Sequence, residues 1–390
     1  MNYHETYTWK LPTELFMGIG AVAHTAEKVR ELGGGKVVIV TDNGVYASGT
    51  VKAVEDSLQA GGIPYEIYHD VEPEPTYQGV EGATALVKES GASLVIGVGG
   101  GSALDTAKNV AVMAANPGSI FDYLGFGKVQ NEPLPSIAIP TSSGTGSEAT
   151  FWAVVADKEK DLKASVGGWN TMFNIAILDP QMTITLPPRP TAACGIDALT
   201  HAMESWVSKD TQPVSEALSY HAMKLIARSI RKATTCGDDL QAREDMLMGS
   251  LIAAMAFNVA HLGLVHAFAM PLGAKFKIPH GVVNSIMLPW VMEYNIVAAP
   301  EKYAEVAKLF GENVDGLPPV EAAAKAVDAV KKMMVDVGIT DGLADYGVKE
   351  EDLLAIAEKA HNAPNTRSNP RSSTVQDQVN LLKKGLRGLK

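Results

Sequence analysis

At 390 residues the chain is long enough for two or three domains of roughly 150 residues each, which excludes a miniature scaffold held by cross-links. With 46% hydrophobic and 20% charged residues it is neither disordered nor fibrous, and a formal net charge of −11 has the wrong sign for nucleic-acid binding as a main activity. Cys194 and Cys236 are the only cysteines, so a disulfide framework and a four-thiolate zinc site are excluded, a reducing compartment fits, and any metal must be held by histidine and carboxylate.

The first residues, Met1-Asn2-Tyr3-His4-Glu5, lack a basic segment followed by an apolar core; no secretory signal is read, and a cytoplasmic location is expected. Residues 12–17 make a poor buried strand, so the loose dinucleotide pattern of 18–23 reads as a turn. Thereafter short apolar runs alternate with helical patterns: strand 36–41, helix 51–60, strand 63–68, helix 76–90, strand 92–98, helix 103–115 and strand 136–141. Strands that are apolar throughout and separated by helices predict βαβ units and a parallel sheet covered on both faces, an α/β nucleotide-binding layer.

The Leu186-Pro187-Pro188-Arg189-Pro190 cluster marks a change to long helical segments, which divides the chain into domains 1–188 and 189–390. Helices are predicted over 193–208, 214–233, 239–258, 300–311, 319–337 and 349–361. Residues 246–274 carry no formal charge and are long enough to imitate a membrane span. They contain Asn258, His261, His266 and Pro271, however, so a buried helix bearing a site is the reading, with no membrane partner.

Two loops carry the cofactor signal. Strand 92–98 runs into Gly99-Gly100-Gly101-Ser102 and then a helix that includes Asp105, an arrangement that lets backbone N–H groups and a helix dipole meet a pyrophosphate. The third glycine of the usual pattern is Ser102, and a purely structural strand-to-helix turn accounts for the same residues. The second loop, 140–150, also follows a strand and supplies hydroxyls at Thr141, Ser142 and Thr150. Loops after parallel strands converge on one sheet edge, where open α/β folds bind ligands. Asp42, closing strand 36–41, can accept hydrogen bonds from an adenosine ribose and repel a 2′-phosphate, which favours NAD; an ordinary Asp-Asn-Gly turn remains the other reading.

The metal signal is sharper. Asp197 and His201 project from one face of a helix at i, i+4, and His266 and His280 follow. One carboxylate and three imidazoles are a competent set for Fe²⁺ or Zn²⁺, although for each histidine taken singly, from spacing alone, a core-packed role is the better reading.

Together these segments resemble the iron-containing (group III) alcohol dehydrogenases over nearly the whole chain. The matching blocks come in the family's order: Gly99 to Ser102 with Asp105 and Lys108, Thr141 to Glu148, Leu178-Asp179-Pro180, Gly195 to Ala202, and His266 through Pro271-Leu272-Gly273-Ala274 to Pro279-His280-Gly281. The resemblance implies an N-terminal Rossmann-like dinucleotide domain with a parallel sheet, an all-helical C-terminal domain, a metal in the cleft between them, and a homodimer or higher homo-oligomer. It implies Asp197, His201, His266 and His280 as ligands of Fe²⁺ or Zn²⁺. NAD would be met by Asp42, Gly100, Gly101, Ser102, Thr141, Ser142, Thr150 and Lys163, with Leu186 near its ring-side half. The implied reaction is hydride transfer between nicotinamide C4 and a small primary alcohol or aldehyde at the metal. A glycerol-dehydrogenase-like polyol enzyme of the same fold is the nearer rival, and a non-catalytic binding protein the distant one.

Two departures matter. The family's usual proton-relay histidine, four residues after the ligand matched by His266, is replaced by Met270, whose thioether carries no proton; His261 and His361 are the substitutes to consider. Arg367 and Arg371 would favour an aldehyde bearing a carboxylate or sulfonate if they face the site, and are otherwise ordinary surface charges. Since NAD is itself anionic, its binding to this acidic chain is expected to rest on backbone dipoles and Lys163.

Overall fold

The computed structural model describes residues 6–157 and 162–389. The described residues divide into two compact units: one within Lys10–Leu186, and one made of residues 187–389 together with residues 6–9.

In the first unit β1 (Glu14–Met17), α1 (Thr25–Glu31), β2 (Val37–Asp42), α2 (Asn43–Ala47), α3 (Lys52–Ala60), β3 (Tyr65–Val71), α4 (Tyr77–Ser90), β4 (Leu94–Gly99) and α5 (Gly101–Ala115) follow in order. Then come β5 (Gly125–Phe126), β6 (Ser136–Pro140), β7 (Trp152–Asp157), β8 (Leu162–Gly167) and β9 (Ile175–Leu178). Among the described residues, six strands form one parallel sheet in the order β1-β9-β6-β4-β2-β3. Val37 to Val40 of β2, like Leu94, Val95, Ile96 and Val98 of β4, are fully buried, as strands covered on both faces must be. The chain runs from β2 outward to β3 and then crosses back to β4 on the other side of β2. Strand order therefore reverses between β2 and β4, and their carboxyl ends open a crevice.

Two features differ from the sequence expectation. Residues 14–17 do form a strand; it lies at the sheet edge beside β9, half exposed, so pairing rather than burial fixes it. The adjoining residues 18–20 are a turn that leads into a 3₁₀ helix at Ala21–His24, with Gly20 at φ 85° and the Val22 N–H donating to Asp179 Oδ2 at 3.1 Å. The antiparallel pair β7 and β8, with β5 alongside, makes a second small sheet that apolar periodicity did not announce.

The second unit is helical: α6 (Pro188–Val207), α7 (Pro213–Thr235), α8 (Leu240–Ala260), α9 (Leu264–Phe276), α10 (His280–Asn295), α11 (Pro300–Leu309), α12 (Pro319–Asp336), α13 (Leu353–His361), α14 (Asn365–Ser368) and α15 (Val375–Arg387). Ile196, Leu199, Ile226, Ile230, Phe268, Val283 and Met287 are among the residues of its continuous apolar core. The uncharged stretch 246–274 is two helices and not one. α8 and α9 are bent by 102° across a break at His261, whose φ of 58° is left-handed. Tertiary bonds hold the break: the Ser208 hydroxyl donates to the Ala260 carbonyl, and His261 Nδ1 lies 2.9 Å from Asp210 Oδ2. Among the described residues no single helix is long and apolar enough to cross a membrane.

Candidate metal centre and dinucleotide crevice

α6 places Asp197 and His201 one turn apart, α9 carries His266 at its N-terminal end, and α10 opens with His280. These chain segments meet because Gly281 lets the start of α10 lie on the backbone of α6: a Cβ there would stand 2.8 Å from the Ala193 carbonyl oxygen. One ligand atom from each of the four residues lies within 4.8 Å of all the others. His201 Nε2, His266 Nε2 and His280 Nε2 are each 3.9 Å from Asp197 Oδ1. Two atoms about 2.1 Å from one ion stand no more than about 4.2 Å apart, so each imidazole can share an ion with Asp197. Drawing in the full set requires a contraction of roughly half an ångström. Asp197, His201 and His266 are buried, while His280 is half exposed and leaves the centre a side open toward solvent.

Burial by itself would raise the Asp197 carboxyl, but His201, His280 and His266 and the amide of Asn284 outweigh it and hold the pKa below its ordinary value. Asn284, four residues after His280, was not singled out from sequence. Its Nδ2 lies 2.6 Å from Asp197 Oδ1, 3.0 Å from His266 Nε2 and 3.1 Å from His280 Nε2. That is two hydrogens for three acceptors, and Oδ1 of the same amide is buried without a partner. The cluster thus offers more lone pairs than hydrogens, and a divalent cation fits it. Glu204, also missed, stands three residues after His201 on the same helix face and reaches His266 Nδ1 at 2.6 Å. The i, i+4, i+7 spacing of Asp197, His201 and Glu204 was the signal available for it.

His261 and His361 stand apart from this cluster: one is paired with Asp210, and the other lies exposed beside Gln378. Met270 is half-buried one turn after His266 on α9. Arg371 donates to the Tyr294 carbonyl at 2.9 Å and packs its guanidinium on that ring, and Arg367 is exposed.

In the first unit the structure brings Asp42, Gly99, Gly100, Thr141 and Ser142 together along the carboxyl edge of the sheet. The Thr141 N–H donates to the Gly99 carbonyl at 3.0 Å, joining the ends of β4 and β6. Asp42 Oδ1 caps α2 by accepting the Val45 N–H at 2.9 Å, while Oδ2 is turned toward Gly99. The opening turn of α5 leaves the N–H groups of Gly101, Ser102 and Ala103 outside the intrahelical ladder, which starts at Leu104 bonding to Gly100. The Ser102 hydroxyl is engaged with the Pro73 carbonyl at 2.6 Å, and Leu186 follows a 3₁₀ turn at the end of the unit.

Asp105 and Thr150 have internal partners beneath these loops. Asp105 accepts from Ser147 Oγ at 2.5 Å and the Val154 N–H at 3.0 Å. Fully buried Lys108 donates to the Thr150 carbonyl at 2.9 Å, Thr150 Oγ1 at 3.1 Å and the Trp152 carbonyl at 2.9 Å. Burial lowers Lys108 to about 8 against the pull of Asp105 and Glu148, and raises Glu148 to about 7. Lys163 is ion-paired with Glu74, so its charge is already met within the protein.

Residues 12–180 match the family described as iron-containing alcohol dehydrogenase, and residues 191–386 match the C-terminal region of the Fe-containing alcohol dehydrogenase family. The 1,3-propanediol dehydrogenase of Klebsiella pneumoniae is 40% identical over 97% of this chain and 98% of its own. The NAD-dependent methanol dehydrogenase of Bacillus methanolicus is 37% identical over 96% of this chain and 99% of its own. The solved structure of an alcohol dehydrogenase from Oenococcus oeni superposes with a TM-score of 0.94 at 38% identity, covering 97% of this chain and all (100%) of that one.

Proposed function

The chain belongs to the iron-containing alcohol dehydrogenase family and is an NAD-dependent alcohol dehydrogenase, and within that activity we propose that it interconverts a small neutral primary alcohol and its aldehyde. The convergence of Asp197, His201, His266 and His280 around a partly compensated set of lone pairs carries this reading. Those four side chains would hold Fe²⁺ or Zn²⁺, which suit imidazole and carboxylate donors equally. A divalent ion supplies Lewis-acid polarisation of a substrate oxygen, and the nicotinamide supplies or accepts hydride.

The chain's own groups do the positioning. The N–H groups of Gly101, Ser102 and Ala103 and the α5 dipole would meet the pyrophosphate, and Asp42 Oδ2 the ribose hydroxyls. Asn284 holds Asp197 and two imidazoles in one orientation. Met270 offers no proton, so this position of α9 supplies no relay. Arg371 is engaged with Tyr294 and Arg367 is exposed, so neither supplies an observed anion contact. The 40% identity to a 1,3-propanediol dehydrogenase supports a three-carbon hydroxyaldehyde as the first to try, with the equally similar sulfoacetaldehyde reductase of Bilophila wadsworthia making the anionic arm of the test necessary.

The test is NADH oxidation by Fe²⁺- or Zn²⁺-reconstituted protein with neutral and anionic C2–C4 aldehydes, with glycerol oxidation in parallel. Turnover is expected with neutral aldehydes, 3-hydroxypropanal included. Absence of turnover with every aldehyde overturns the proposal, and faster turnover of carboxylate- or sulfonate-bearing aldehydes overturns its neutral-substrate clause.

A further inference from the structure

We propose that Glu204 is a positioning residue of the metal centre, fixing His266 in the tautomer whose bare Nε2 faces the ion. The inference rests on the metal-dependent reading given above and extends it to a residue outside the ligand set.

Both oxygens of Glu204 are committed. Oε1 accepts the backbone N–H of Val265 at 2.7 Å, and Oε2 lies 2.6 Å from Nδ1 of His266. Both side chains are only 5% exposed, so water does not stand in for either bond. Which atom holds the imidazole proton follows from the opposite side of the ring. Asn284 Nδ2 sits 2.6 Å from Asp197 Oδ1, an acceptor, and so is the amide nitrogen; it can only donate to His266 Nε2 at 3.0 Å. Nε2 is therefore the acceptor, Nδ1 carries the hydrogen, and Glu204 receives it.

The surrounding chain is built to allow this approach. A Cβ on Gly263 would stand 2.9 Å from Glu204 Oε1 and 3.0 Å from Asn369 Oδ1, so glycine there admits the carboxylate to the N-terminus of α9. Negative charge at that helix end is favourable as well. One face of α6 thus supplies two ligands and the group that orients a third, and a histidine ligand whose other ring nitrogen donates to a carboxylate is held in rotation and made more basic.

Glu204→Gln isolates the claim. Glutamine has one oxygen where two donors need one each. The Val265 N–H is fixed in the backbone and can only donate, so it takes the oxygen. The NH₂ group then faces the Nδ1 hydrogen, donor against donor, and the ring loses the acceptor that fixed its orientation and tautomer.

The test measures Zn²⁺ affinity by competition with a chromophoric chelator on metal-free wild type, Glu204→Gln and His266→Ala, and reads the His266 tautomer by long-range ¹H–¹⁵N correlation on ¹⁵N-histidine-labelled metal-free protein. Glu204→Gln is expected to lose about 10–100-fold in affinity and to lose the single protonated-Nδ1 signature of the wild-type ring. Wild type that binds no Zn²⁺ overturns the metal reading itself. Wild type that binds, with His266→Ala impaired and Glu204→Gln unchanged, overturns the role of Glu204 alone; a merely structural Glu204 would lower the Tm of the variant and leave affinity and tautomer where they were. If Glu204→Gln does not fold, the wild-type spectrum decides: a protonated Nδ1 supports the proposal, and a protonated Nε2 overturns it.

Discussion

Asp42 and Gly99 meet where the strand order reverses: a Cβ on Gly99 would stand 3.4 Å from Asp42 Oδ2 and 2.6 Å from the Cβ of Ala103. The absence of a side chain at Gly99 therefore keeps the crevice open on one side and lets α5 start close to β4 on the other.

Gly99→Ala should damage both. The residue sits at φ 154°, which an L side chain rarely adopts, and the new methyl collides with α5. A loss of about 2–4 kcal/mol in urea unfolding is expected from strain and overpacking together. NADH titration should show affinity weakened by at least about tenfold. An unchanged NADH Kd would show that this loop does not carry the cofactor.

Asp42→Ser separates capping from cofactor choice. Serine still caps α2, so stability should move by less than about 1 kcal/mol. The carboxylate that repels a 2′-phosphate is gone, and the ratio of kcat/KM for NADP⁺ over NAD⁺ should rise by about tenfold or more. A ratio that does not move would place the adenosine elsewhere.

Metal should stabilise the fold by linkage. At a free Zn²⁺ concentration one hundred times its Kd, metal-free protein should gain about 2.7 kcal/mol, read as a rise in Tm. Asp197→Asn, which removes the only carboxylate of the set, should show little of that gain. Equal gains in both proteins would mean that Zn²⁺ binds at another place.

Glu148 predicts a pH dependence of stability. Its folded pKa, raised to about 7 chiefly by burial, lies above the ordinary 4.5. Protons therefore bind more tightly to the folded state. The associated stability is fully present below about pH 4.5 and is lost as pH rises through about 7, an effect on the order of 1–3 kcal/mol. Urea unfolding of wild type and Glu148→Gln between pH 5 and 8 checks this: the variant should lack that decline and gain on wild type toward pH 8. Parallel profiles would remove Glu148 as the cause.

The sequence announced the parallel α/β layer because β2 and β4 are apolar on both faces, and it announced the ligand set because Asp197 and His201 share a helix face. It missed α10, α15 and the pair β7 and β8. It also read 246–274 as one helix, because the 102° break at His261 is held by Ser208 and Asp210, residues about fifty positions away in the chain. Asn284 and Glu204 were passed over for the same reason: their partners come from other helices.

By itself, then, the sequence determined the secondary-structure layers, the donor types and the absence of thiolate, since these follow from local periodicity and composition. Only the tertiary structure decided which donors converge and what stands around them. It set Asp105, Lys108 and Thr150 in an internal network, paired Lys163 with Glu74, and placed the His266 ring between Glu204 and Asn284. Hydrogen bonds among buried side chains depend on directions and distances between elements remote in sequence, and no pattern within one element contains them.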